Sequence, residues 1–136
     1  MFASLNRNLL KSVMLADGVF SIAAAAVLLA FSGPLAALIG PHATPAIVTG
    51  FAAFFLVWGV FHLAVGRQER PSLVAVRVAI AGDALWVLGS IAVLLLARGG
   101  LTPTGMALIA VAAVAVADIL LLKQVGIGRQ QRAALA

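Results

Sequence analysis

Between Arg77 and Arg98 the chain reads RVAIAGDALWVLGSIAVLLLAR, with Asp83 the single charge inside an otherwise uncharged stretch. At about 1.5 Å of rise per residue, eighteen or more mostly apolar residues in a helix span a hydrocarbon core. A soluble domain has no use for an apolar run of this length, so the stretch predicts a membrane helix. Asp83 then lies roughly 9 Å past Arg77, inside the lipid span. A carboxylate at that depth is costly and marks a candidate functional site.

Three further stretches have the same character. With the first they predict an all-α integral membrane protein of four transmembrane helices, in one domain over residues 1–136. The spans fall at about 12–31, 46–65, 73–97 and 105–122. At 64% hydrophobic and 10% charged, the composition agrees, lying far from soluble norms. The first span invites reading as a signal peptide, but it exceeds a typical apolar core of 7–15 residues and contains Asp17, which favours a retained helix.

The punctuation is local. Gly33, Pro34, Gly40, Pro41 and Pro45 break helices in a turn-rich connection, within which Leu35 to Ile39 is expected along the membrane surface. Thr44-Pro45 supplies an N-cap and a first helical residue, and Ser72 can cap the third span. Gly66 to Pro71 and Gly99 to Pro103 form turns. Lys123 is expected to end the fourth span, with Gly126 and Gly128 interrupting a frayed tail over 124–136.

Eight of the nine basic residues, all but Arg98, fall on one side of this topology. That asymmetry predicts cytoplasmic N and C termini. Alanine, valine, glycine and arginine usage fits a bacterial inner (cytoplasmic) membrane. Lys11, Arg67, Arg77 and Lys123 form the expected cytoplasmic basic flank. The net charge of +5 is thereby assigned to topology rather than to nucleic acid.

Charge spacing hints at a repeat. Lys11-x5-Asp17 recurs as Arg77-x5-Asp83, and His62-x4-Arg67 has a counterpart in Asp118-x4-Lys123. Phe20 aligns with Trp86, and Val27-Leu28-Leu29 with Val93-Leu94-Leu95. The chain thus reads as two helical hairpins in the same orientation, a parallel repeat about an axis along the membrane normal.

Measured from those flanking bases, Asp17, His62, Asp83 and Asp118 all fall roughly 7–9 Å inside the boundary. One comes from each span, which predicts an inward-facing intramembrane polar layer, supported by Ser21 and Ser90. Three carboxylates and an imidazole cannot all be charged and unpaired there. The layer serves either as an interhelical clamp, bonded within itself and to bases reaching in from the boundary, or as a proton- or cation-handling site. Gly82 and Gly89 suit close helix contact in the third span. On the second span Phe51, Phe55, Trp58 and His62 share a face by helical spacing, a contact surface for protein or for a lipophilic ligand.

Chemistry is otherwise scarce. Without cysteine there is no disulfide and no thiol chemistry. No HxxxH, ExxH or HExxH spacing, nucleophile triad or phosphate loop occurs, so no catalytic residue, metal ligand or cofactor is assigned. His42 and His62 fall at opposite membrane faces, so one chain offers no bis-His haem pair. The leading expectation is a non-enzymatic membrane protein acting through helix contacts, an accessory, assembly or scaffold subunit or a self-associating chain. Its partners are the bilayer and other membrane subunits or itself, in an oligomer. A small proton-coupled transporter or channel using the Asp/His layer is the alternative.

Overall fold

A computed structural model describes residues 8–135. Among them all regular structure is helical: α1 Leu9–Ala30, α2 Ser32–Ile39, α3 Pro45–Gly66, α4 Leu73–Leu96, a 3-10 turn Arg98–Gly100, and α5 Pro103–Leu135. Four of these, α1, α3, α4 and α5, are long and apolar enough to cross a membrane. Their outward faces carry large apolar side chains such as Val57, Leu85 and Leu88. Water would reject such a surface, whereas a bilayer accepts it.

Local signals set most ends. Thr44 caps α3, its Oγ1 accepting from the Ile47 amide at 3.2 Å, with Pro45 as the first helical residue. Ser72 caps α4 by accepting from the Ala75 amide at 3.4 Å. After α1 the chain bends at Phe31 and continues as α2, which stops at Gly40 with φ of 149°. Only glycine takes that conformation readily. A Cβ at Gly40 would also strike the Gly100 carbonyl, so the two far-end connections press together. Thr102 secures them: its amide donates to the Ile39 carbonyl at 2.9 Å and its hydroxyl to the Leu38 carbonyl. The same hydroxyl accepts from the Gly105 amide at 2.9 Å and so starts α5.

α1 packs most closely on α3, and α4 on α5; α1 and α5 join the two hairpins. Glycines make the first contact tight. A Cβ on Gly18 would sit 3.0 Å from the Gly59 carbonyl oxygen, and one on Gly59 would sit 2.9 Å from that of Gly18. Between α3 and α4 the backbones stand apart and rings fill the gap. Trp86 meets Phe55 at 4.9 Å and Phe51 at 5.7 Å between centroids. Gly82 leaves room for the Trp58 ring, while Gly89 faces open space.

The fourth span differs from its expected form. Rather than stopping at Lys123 with a frayed tail, α5 runs on to Leu135. Gly126 explains why: a Cβ there would lie 3.1 Å from the Leu10 Cα, so this glycine is a crossing point with α1. Ile127 beside it is buried in a cluster with Leu10, Met14, Val65, Val76 and Ala79. Apolar burial holds the helix together past the lysine that was expected to end it.

Candidate functional site

Four side chains meet in the bundle interior, one from each long helix: Asp17 of α1, His62 of α3, Asp83 of α4 and Lys123 of α5. All are buried, His62 and Lys123 completely. The Lys123 Nζ donates to Asp17 Oδ2 at 2.5 Å and to Asp83 Oδ2 at 2.6 Å, and lies 2.9 Å from His62 Nε2. An ammonium has three N–H donors; two go to the carboxylates, and His62 Nε2 can accept the third when it carries no proton. Asp17 Oδ1 accepts from the Ser21 hydroxyl at 3.4 Å.

His62 is oriented by its own helix. Its Nδ1 lies 2.8 Å from the Trp58 carbonyl. A carbonyl can only accept, so Nδ1 carries a proton and Nε2 is the atom turned into the cluster. That Nε2 lies 3.0 Å from Asp17 Oδ2 as well as near Lys123. The triangle formed by Nζ, Oδ2 and Nε2 closes at the ammonium with an angle well below tetrahedral. Two hydrogen-bond patterns fit it. In one, Lys123 donates to a neutral imidazole; in the other, a second proton on Nε2 is donated to Asp17. With both carboxylates ionised and the ammonium protonated, the first pattern carries one net negative charge and the second none.

Asp17, His62 and Asp83 offer three ligand atoms within 4.8 Å of one another, a set able to hold a metal ion. The Lys123 ammonium stands among those same atoms and uses their lone pairs. It is a tethered cation in the place an ion would take.

The surroundings are apolar on one side. Leu10, Met14, Val65, Val76, Ala79 and Ile127 form an apolar plug on the side of the cluster nearer the chain termini. Hollows of about 400 Å³ beside Ile47, Gly50, Phe51 and Phe54, and of about 390 Å³ beside Asp118, lie on the outer surface, and no cluster residue lines either.

The expected polar layer is therefore assembled in part, with a substitution. Asp17, His62 and Asp83 come together, and Ser21 supports them. Asp118 does not join: it is exposed on α5, beside Ala110, Val111, Val114 and Ala115. Lys123 takes its place. The expected depth of Asp118 was counted from Lys123 as a boundary residue, and Lys123 is itself in the layer. Asp118 consequently lies about 7.5 Å further along the helix. Ser90 is buried but seven residues beyond Asp83, about 10 Å away along α4. Lys11 is half-buried and Arg67 and Arg77 are exposed, so only Lys123 among the expected flank turns inward. Phe51, Phe55 and Trp58 lie in the α3–α4 seam, where Phe51 and Phe55 meet Trp86 and Trp58 meets His62.

Two features escaped the sequence reading, and only the first carried a signal within it. Apolar residues continue beyond Lys123 as Val125 and Ile127, which argues that the lysine is not terminal. Gly18 and Gly59 sit on different helices, so no GxxxG pattern announces their contact. No family model, curated protein or solved structure matches this chain.

Proposed function

We propose that this chain is a non-catalytic multi-pass membrane protein whose Asp17–His62–Asp83–Lys123 cluster is an interhelical clamp. The outer helix faces would then do its work, as an accessory, assembly or scaffold subunit or in self-association. The observation that carries the reading is the pairing of Lys123 with both buried carboxylates, Asp17 at 2.5 Å and Asp83 at 2.6 Å, beside an apolar plug of the same chain. A clamp built this way fixes which helices pair and in what register. Breaking it leaves buried charge unanswered. The distribution of basic residues supports cytoplasmic termini, and the alanine, valine, glycine and arginine usage fits a bacterial inner membrane.

The test is gentle extraction from the source membrane, followed by mass determination of the intact particle and its components. Other proteins in fixed ratio, or a homo-oligomer, are the expected outcomes. A lone monomer at native abundance would sink the proposal.

One observation favours a second reading. The two hydrogen-bond patterns at His62 differ by a single proton, which is the property a proton-coupled carrier needs. On that reading Asp83→Asn abolishes pH-driven flux in liposomes while the fold persists, and unchanged flux rejects it.

A further inference from the structure

Building on the subunit reading, we infer that the outward face of α5 around Asp118 docks a transmembrane helix of a different protein, one carrying a basic side chain level with Asp118. Position along the helix comes first. Asp118 lies about 22 Å from Pro103 and about 16 Å from Arg129, so its short side chain reaches neither end of the span. It is exposed, and among the described residues it has no hydrogen bond or ion pair. A carboxylate facing lipid at such depth is rare, and membrane proteins place such groups against a partner.

Charge then selects the partner. Inside the bundle, Lys123 answers Asp17 and Asp83 at 2.5 and 2.6 Å. Among the described residues no base pairs with Asp118. A second copy of this chain is a poor occupant. Packed in parallel it brings Asp118 against Asp118. Turned to any other face it offers no base at this depth among the described residues: Lys11, Arg67, Arg70, Arg77 and Arg98 lie in connections or in the outer turns of their helices, and Arg129 and Arg132 lie about 16 Å or more along α5 from Asp118. The occupant that fits supplies its own cation.

Shape agrees. Ala107, Val111, Val114, Asp118, Leu121 and Val125 are all exposed and recur at alternating spacings of four and three. That is the seam of a left-handed helix pair. The stripe is about 27 Å long, close to the hydrocarbon thickness. Val111, Val114 and Asp118 of the stripe, with the small Ala110 and Ala115 flanking it, line the shallow hollow of about 390 Å³ into which a neighbouring helix can settle.

The test uses the full-length chain in phosphatidylcholine vesicles. Because the chain has no cysteine, Ala134→Cys gives a single site for a donor dye. The probe is an acceptor-labelled Leu/Ala transmembrane peptide with one central lysine, and its control has leucine there. Energy transfer should show about tenfold tighter association of the lysine peptide, the scale of one interhelical polar contact in model peptides. Asp118→Leu should remove the preference while helicity and tryptophan emission stay unchanged. Equal association of both peptides, or a preference that survives Asp118→Leu, overturns the inference. Self-association that depends on Asp118, without a lysine preference, overturns it in favour of a second copy. If the native particle holds another protein whose ratio Asp118→Leu does not alter, the subunit reading stands and this face is wrong.

Discussion

Replacing Lys123 with methionine keeps the length and apolar stem of the side chain and removes only its charge and donors. What remains is two buried carboxylates whose facing oxygens lie no more than 4.8 Å apart. At that separation and an effective dielectric of about 20, their repulsion is about 3.5 kcal/mol. Losing one partner of a buried ion pair costs about 3–5 kcal/mol by a separate route, the desolvated charge left behind. The two figures describe the same loss and agree, so Lys123→Met should destabilise the bundle by about 3–4 kcal/mol. Denaturant or thermal unfolding in detergent micelles, followed by the emission of Trp58 and Trp86, reads this directly. Adding Asp83→Asn removes one of the two charges and should restore about 2 kcal/mol, measured as the coupling in a double-mutant cycle. Lys11→Met, at a half-buried flank position, is the control and should cost under about 0.5 kcal/mol. If Lys123→Met unfolds within about 1 kcal/mol of wild type, or if Asp83→Asn fails to rescue it, the clamp is not what holds these helices in register.

Three further outcomes follow from packing. Gly59→Leu places atoms against Ile22 and the Gly18 carbonyl, both within 3 Å of a Cβ at that position; by unfolding it should cost about 1–3 kcal/mol, whereas Gly89→Ala, facing open space, should be neutral or better. Truncation after Gln124 removes Ile127 from the plug and the Gln130 amide from the Pro71 carbonyl, and should lower stability by about 2 kcal/mol in the same assay. Truncation after Gln130 removes only exposed described residues and should change it by less than about 0.5 kcal/mol. Trp86 Nε1 is buried without a partner, so Trp86→Phe, which keeps ring packing against Phe51 and Phe55, should be neutral or stabilising; a loss above about 1 kcal/mol would show that the N–H is used.

The spans, their caps and the turns were legible because each is a local property. Apolar run length identifies a membrane helix wherever it packs, and Thr44 or Ser72 caps the helix that follows it with no outside help. The inward carboxylates were legible for a related reason: lipid leaves Asp17 and Asp83 few other places to point. What could not be read was where each helix sits along its neighbours. A basic residue after an apolar run means a boundary in one packing and a buried counter-ion in another. The choice for Lys123 depends on Gly126 meeting Leu10, a contact between residues more than a hundred positions apart. Gly18 and Gly59 raise the same difficulty, because each becomes informative only once the other helix is placed beside it.

The apparent repeat shows how facing, rather than spacing, decides the site. Residues five apart on a helix point about 140° away from each other, so an acid and a base at that spacing cannot both face inward. His62 is buried in α3 and Arg67, just past its end, is exposed; in α4 Asp83 is buried and Arg77, six residues before it and about 120° round the helix, is exposed. α5 keeps the spacing and reverses the facing, with Lys123 buried and Asp118 exposed. That reversal has two consequences at once. It supplies the one cation that lets Asp17 and Asp83 share the interior, since an inward Asp118 would have added a third negative charge with no base to meet it. It also turns a carboxylate toward the lipid, where the same argument requires a cation from outside the chain. The clamp and the docking face are thus two results of one helical rotation. A charge swap tests them together: Lys123→Asp with Asp118→Lys gives α5 the inward acid and outward base of α4, yet it should unfold the bundle more readily than Lys123→Met. Equal or greater stability of the swapped protein would mean that α5 rotates freely enough for neither face to be assigned.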